Sequence, residues 1–143
     1  MTCLRIGHTS HRDTIRKDQG LDERRDANRK HYLEFSKQAG ETFNKYFAQY
    51  GGEQLHLWLL VTHSEFRRRG AAAVLVKWGV DTAEEKRWPV TVFGSPMGQL
   101  VYRRLGFEIV GTKVVQVEGE EERLTSAVMQ KLPRRMVNTD GVV

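Results

Sequence analysis

Apolar side chains recur at three- and four-residue intervals at Tyr32, Phe35, Ala39, Phe43, Tyr46, Phe47 and Tyr50. This is the stripe of an amphipathic helix. It predicts helix within residues 21–50, continuous or divided near Gly40, and ended by Gly51 and Gly52. Leu55 to Thr62 is short and almost wholly apolar, the pattern of a buried strand. Ser64, Glu65 and three arginines then form a loop. Ala72, Leu75, Val76, Gly79, Val80 and Ala83 share one side of a helix predicted over 71–86. Pro89 precedes a second strand, Val90 to Phe93. Ser95 and Pro96 open a short helix, Met97 to Leu105, which Gly106 stops. Strand, turn and strand follow over 107–117, 118–121 and 122–131.

The order strand, helix, strand, helix, hairpin predicts an α/β fold whose first two strands are parallel neighbours, with the hairpin extending the sheet. Residues 1–20 are polar and lack periodicity apart from a weak extended start around Leu4 to Ile6. They are expected to be flexible, as is the tail, 133–143. With 143 residues, 39% of them apolar, the chain accommodates one domain, 21–132, made of a helical region (21–50) and a core (55–132). Its apolar runs, Leu57 to Val61 among them, are far below the roughly 20 residues that cross a bilayer, and the N-terminus has no signal-peptide core. A soluble, cytoplasmic chain is expected. Cys3 is the only cysteine, which excludes an internal disulfide and a cysteine-rich zinc site; no metal is expected.

The net charge of +5 changes the picture through its location. Arg67, Arg68, Arg69, Lys77, Lys86, Arg87, Arg103 and Arg104 outweigh Asp81, Glu84 and Glu85, while the rest of the chain balances. An excess around a glycine turn suits one phosphorylated ligand better than a long polyanion. Binding of nucleic acid through Arg67 to Arg104 is the weaker reading. In the segment Arg67-Arg68-Arg69-Gly70-Ala71-Ala72, a glycine and small residues open a helix. Its first backbone N–H groups then face outward unobstructed, with the helix dipole behind them. Such an anion cradle, flanked by arginines, suits a diphosphate. A tight turn with solvated arginines is the plainer alternative.

These residues resemble the GNAT superfamily of acetyl-CoA-dependent N-acyltransferases, whose hallmark is Arg or Gln, two residues, Gly, one residue, then Gly or Ala. Arg67, Gly70 and Ala72 fit it. A second element follows in order: the helix from Ser95 carries Tyr102, three residues, then Gly106-Phe107. The similarity covers about Leu55 to Leu132, and the segments LVTHSEFRRRGAA, SPMG and VEGEEE resemble a fungal branch. The resemblance implies a GNAT-like mixed sheet with acetyl-CoA as acyl donor. It implies that Leu60, Val61 and Thr62 present backbone to the pantetheine arm. Arg67, Arg68, Arg69, Gly70, Ala71, Ala72 and Ala73 would hold the diphosphate, and Ser95 would lie beside the pantetheine. Tyr102 matches the general acid toward the leaving thiolate, with a buried packing tyrosine as the alternative.

For the base, His56 is the leading candidate. It stands eleven residues before Arg67, where some family members carry a glutamate, and simple alternation groups it with Trp58, Leu60 and Thr62. A satisfied structural histidine is the alternative. His63 is a weaker candidate, better explained by a loop hydrogen bond. Arg103 and Arg104 read as solvated helix charges, and Glu118 to Glu122 as a charged turn or a recognition element for a basic substrate. GNAT domains normally place about three strands and two helices before the strand matched by Leu55 to Thr62. The expectation is therefore a domain truncated on its N-terminal side, with an exposed sheet edge that favours a homodimer. Two functions follow: acetyl transfer to the primary amine of a small molecule or peptide, or a non-catalytic acyl-CoA-binding or protein-interaction remnant.

Overall fold

The computed structural model describes residues 2–6 and 24–134. Its elements are β1 (Thr2–Ile6), α1 (Arg29–Phe47), β2 (Leu55–Thr62), α2 (Ala71–Lys86), β3 (Val90–Gly94), α3 (Gly98–Arg104), β4 (Glu108–Gln116) and β5 (Arg123–Lys131). Short 3-10 turns occupy Ala48–Tyr50 and Ser64–Phe66. The five strands form one sheet in the order β1-β2-β3-β5-β4. Only the β2–β3 pair is parallel. The mixed α/β sheet and the parallel central pair agree with the sequence pattern.

Asn28 starts α1 by accepting a hydrogen bond from the His31 backbone N–H at 3.3 Å. The helix runs through Gly40 without a break, so the division considered from sequence does not occur. Burial of Ala39, Phe43 and Phe47 on one face outweighs the roughly 1 kcal/mol helical cost of a single glycine. The weak extended start is a strand: β1 pairs antiparallel with β2, Thr2 opposite Thr62. The rest of the segment expected to be flexible, and the end of the tail, lie outside the described residues.

The sheet separates two cores. On one face Leu55 and Leu57 pack with Val76 and Ala83 of α2 and with Tyr102 and Phe107. Gly79 faces these two leucines with room to spare, since a β carbon there would stand at an ordinary contact distance of 3.8 Å from Leu55. On the other face Phe43 and Phe47 of α1 pack on Val128 and Phe93. Tyr46 of the same helix lies so close to Gly111 that a β carbon at that glycine would overlap its ring.

Candidate functional site

The site begins where the parallel pairing stops. Leu55, His56 and Leu57 pair with Val90, Thr91 and Val92, and the ladder goes no further. Beyond it β2 stays with β1 as far as Thr62, while Phe93 and Gly94 of β3 stay with Val128 and Ala127 of β5. Two parallel strands thus part toward their C-terminal ends. Strand edges that part expose backbone groups able to pair with an extended ligand carrying amides.

A bulge shapes the same stretch. Arg5 faces Leu59 and Ile6 faces Leu57, so Trp58 is the extra residue. Side-chain alternation reverses there. Leu60 joins the α2-side cluster of Leu55 and Leu57, while Leu59 and Val61 are about half exposed. His56 remains on the α1 side, which corrects its expected grouping with Leu60 and Thr62. An uninterrupted period of two cannot foresee an inserted residue.

The cradle lies just past the end of β2. Gly70 caps α2 with φ +78°, and no side chain caps the first turn, so the leading amides have no side-chain acceptor there. Open space surrounds Gly70, with nothing within 4 Å of a built β carbon. Arg68 also adopts a left-handed φ of +61°, a conformation that costs about 1 kcal/mol or more in a residue with a β carbon. The Arg67 Nε–H donates to the Thr62 carbonyl at 3.2 Å, tying the loop to the end of β2. Arg69 stacks its guanidinium 5.5 Å from the Phe66 ring centre. All three arginines are exposed. Lys77, a turn beyond the cradle, is paired with Asp81.

Opposite the cradle, at the end of β3, the Ser95 hydroxyl accepts a hydrogen bond from the Gly98 N–H at 3.0 Å. α3 therefore begins at Gly98, one residue later than the sequence suggests. Tyr102, 6% exposed, packs against Phe107 and over Gly94; a β carbon at Gly94 would stand 3.3 Å from its ring. Burial pushes the Tyr102 phenol above its ordinary value, so the group stays neutral and able to donate its proton. Arg103 and Arg104 are exposed in the last turn of α3, where cations complement the helix dipole.

His56 is 2% exposed. Four aromatic rings surround it, with centroids at 5.0 Å (Phe43 and Trp58), 5.3 Å (Phe93) and 5.8 Å (Phe47). Its Nδ1 lies 2.8 Å from the Thr91 hydroxyl. Gln54 settles the direction of that bond. Its amide nitrogen donates to the Phe47 and Gly51 carbonyls, leaving its oxygen to accept the Thr91 hydroxyl proton at 3.1 Å. Thr91 can then only accept from His56, so Nδ1 carries a proton and Nε2 is the basic nitrogen. His63 serves the loop: its Nδ1 accepts from the Glu65 N–H at 3.4 Å.

The structure brings together β2, the Arg67–Ala73 loop, Ser95 and Tyr102 around one end of the parallel pair. It sets His56 behind aromatic rings on the α1 side. Sequence reasoning missed Lys113, 2% exposed on β4, whose ammonium lies 4.0 Å from the Phe35 ring centre and 4.7 Å from that of Phe93. It also missed the Thr91–Gln54 hydrogen bond behind His56. Neither carries a local signal, because each depends on strands far apart in the chain. Among the described residues no His, Cys, Asp and Glu cluster could hold a metal ion.

Parting parallel strands beside a glycine-opened helix define a mixed-sheet α/β domain. The sequence profile of the acetyltransferase (GNAT) domain family matches residues 13–131. The chain belongs to that family. An acetyltransferase of Stachybotrys chartarum is 31% identical over 68 residues, 48% of this chain and 30% of the relative. "Probable acyltransferase SID5" of Ajellomyces capsulatus is 30% identical over 76 residues, 49% of this chain and 56% of the relative. The chain thus matches about a third and just over half of the length of these curated relatives. Among solved structures, a mosquito arylalkylamine N-acetyltransferase like 5b superposes with a TM-score of 0.59 at 13% identity, over 92% of this chain and 66% of that one. A spermidine N-acetyltransferase SpeG chimera of Vibrio cholerae and human sequence gives 0.51 at 16% identity, over 96% and 98%. Both show the shared fold.

Proposed function

We propose that this chain transfers acetyl from acetyl-CoA to a primary amine. The observation that carries the reading is the juxtaposition of parting strands β2 and β3 with the uncapped, glycine-opened start of α2. In this reading the backbone of Leu60, Val61 and Thr62 pairs with the pantetheine arm, with Ser95 on its other side. Arg67, Arg68 and Arg69 and the amides of Gly70, Ala71, Ala72 and Ala73 hold the diphosphate. Family membership supports acyl transfer as the chemistry. The neighbouring folds belong to amine acetyltransferases.

The reaction balances as follows. An ammonium loses one proton, and its nitrogen attacks the thioester carbonyl carbon. The C–N bond forms, the C–S bond breaks, and the nitrogen loses a second proton to become an amide. One proton ends on the sulfur and the other in solvent. Tyr102 is proposed as the acid that protonates the departing thiolate, a role its neutrality allows. His56 is proposed as the base, with Nε2 as the accepting nitrogen and water carrying the proton to it, since its aromatic enclosure keeps an amine from direct contact.

Calorimetric titration of the full chain with acetyl-CoA, repeated with Arg69→Glu, tests the carrying observation. Saturable binding that the variant loses is expected. A folded wild-type chain that does not bind sinks the reading. Turnover on an amine panel then separates a transferase from an acyl-CoA-binding remnant.

A further inference from the structure

The first turns of α1 and the β4–β5 hairpin enclose an open cavity of about 560 Å³, within the range of small-molecule sites. Tyr32 and Phe35 line it from α1, Val115 and Val117 from β4, Leu124 from β5, and Glu122 stands among them. The strand register places this cavity relative to the acyl site. Val115 pairs with Leu124, and Gly94 at the end of β3 pairs with Ala127. The cavity therefore lies three residues, about 10 Å, further along the direction in which β2 and β3 run and part. It is on the α1 face. Lys113, two residues before Val115, bridges its Phe35 wall to Phe93 beside Gly94.

Its chemistry is selective. The walls are chiefly aromatic and aliphatic, with His31, Glu122 and Arg123 as their charged or ionisable members, so the apolar part offers few partners to hydroxyls. The adjoining turn is acidic. Glu118, Glu120, Glu121 and Glu122 crowd it, with Glu120 held at 2.5 Å by His31, another lining residue. The Lys113 side chain lies behind Phe35, leaving Arg123 as the arginine or lysine among the lining residues. An acidic approach to an apolar chamber favours a single cation on an apolar body.

We propose that this cavity receives the non-reacting end of the acceptor, and that the acceptor is an apolar primary monoamine of arylalkyl or alkyl type. The inference rests on the acetyl-transfer reading and supplies its substrate class. The amine reaches the gap between β2 and β3 from the α1 face, while the acyl donor is held at the start of α2.

The test uses the full chain with phenethylamine and hexylamine against spermidine and glucosamine. Saturation-transfer NMR reads amine binding directly, with or without acetyl-CoA, and steady-state assays read turnover. Phenethylamine and hexylamine are expected to bind and to be acetylated with kcat/KM at least tenfold above the polar amines. Leu124→Trp, which fills the cavity from an exposed strand position, and Tyr32→Ala should each weaken phenethylamine binding by tenfold or more. Acetyl-CoA affinity and the circular dichroism spectrum should stay unchanged in both. Acetyl-CoA binding without phenethylamine binding, a preference for spermidine or glucosamine, or amine affinity unmoved by both variants overturns the cavity assignment and leaves the donor reading intact. Failure to bind acetyl-CoA overturns the donor reading, and phenethylamine binding still decides the cavity by itself.

Discussion

The two faces of the sheet are built on different principles. On the α2 side the proposed cradle is local: Arg67 to Ala73 are consecutive, and a glycine at φ +78° opens α2 without a side-chain cap. On the α1 side the buried polar groups are assembled from a distance. His56, Thr91 and Gln54 form one hydrogen-bonded chain across β2, β3 and the loop after α1, and Lys113 of β4 sits between rings from α1 and β3. A local device tolerates packing errors elsewhere in the domain, whereas an assembled one fails when any contributor moves.

Removing a pillar of the α1 face should give the largest effect. Phe47, fully buried, touches Phe43, His56 and Phe93, so Phe47→Ala should cost about 3–5 kcal/mol of unfolding free energy in urea titration. If the faces are independent, acetyl-CoA affinity at a temperature where the variant remains folded should change less than twofold. A parallel loss would break the comparison.

Next comes the chemistry assigned to Tyr102. Tyr102→Phe should lower kcat by about a hundredfold or more while leaving the acetyl-CoA dissociation constant unchanged. The same group links stability to pH. Its folded value is raised above the ordinary value near 10, so the folded state holds the proton more tightly. Its contribution is complete below pH 10 and is lost as pH rises through the folded value. Urea midpoints of the wild type should fall above pH 10, and Tyr102→Phe should flatten part of that fall. Tyr50, raised chiefly by its own burial, accounts for a remainder.

Arg69→Glu sharpens the contrast from the other side. This exposed residue should cost about tenfold or more in acetyl-CoA affinity by calorimetry, with an unfolding midpoint within a degree or two of wild type. Smallest of all, Lys77→Ala removes the exposed Lys77–Asp81 pair one turn beyond the cradle. It should change stability by about 0.3–0.5 kcal/mol at low salt and less at high salt.

Much of the α2 side was legible because its signals are short-range. β2 and α2 occupy the residues that periodicity assigns, and β3, α3, β4 and β5 differ by one residue at their ends. Those ends moved for local reasons, such as the Ser95 hydroxyl satisfying the Gly98 amide and deferring α3. The α1 side was legible only as an aromatic stripe. The bulge at Trp58 left no trace in an unbroken apolar run, yet it decides which of Leu59 and Leu60 faces which core. Lys113 reads as one more charge in a strand, and only the closure of α1 over β3 and β4 shows where its ammonium is held.

The sequence by itself determined the helix and strand order, the glycine turn at Arg67 to Ala73 and the family motif around Tyr102. Hydrophobic period, glycine placement and capping are properties of neighbouring residues. Only the tertiary structure decided where the parallel strands part, that His56 is enclosed rather than exposed, and that the acidic hairpin adjoins an apolar cavity. Each depends on register and packing between segments tens of residues apart, which no local pattern encodes.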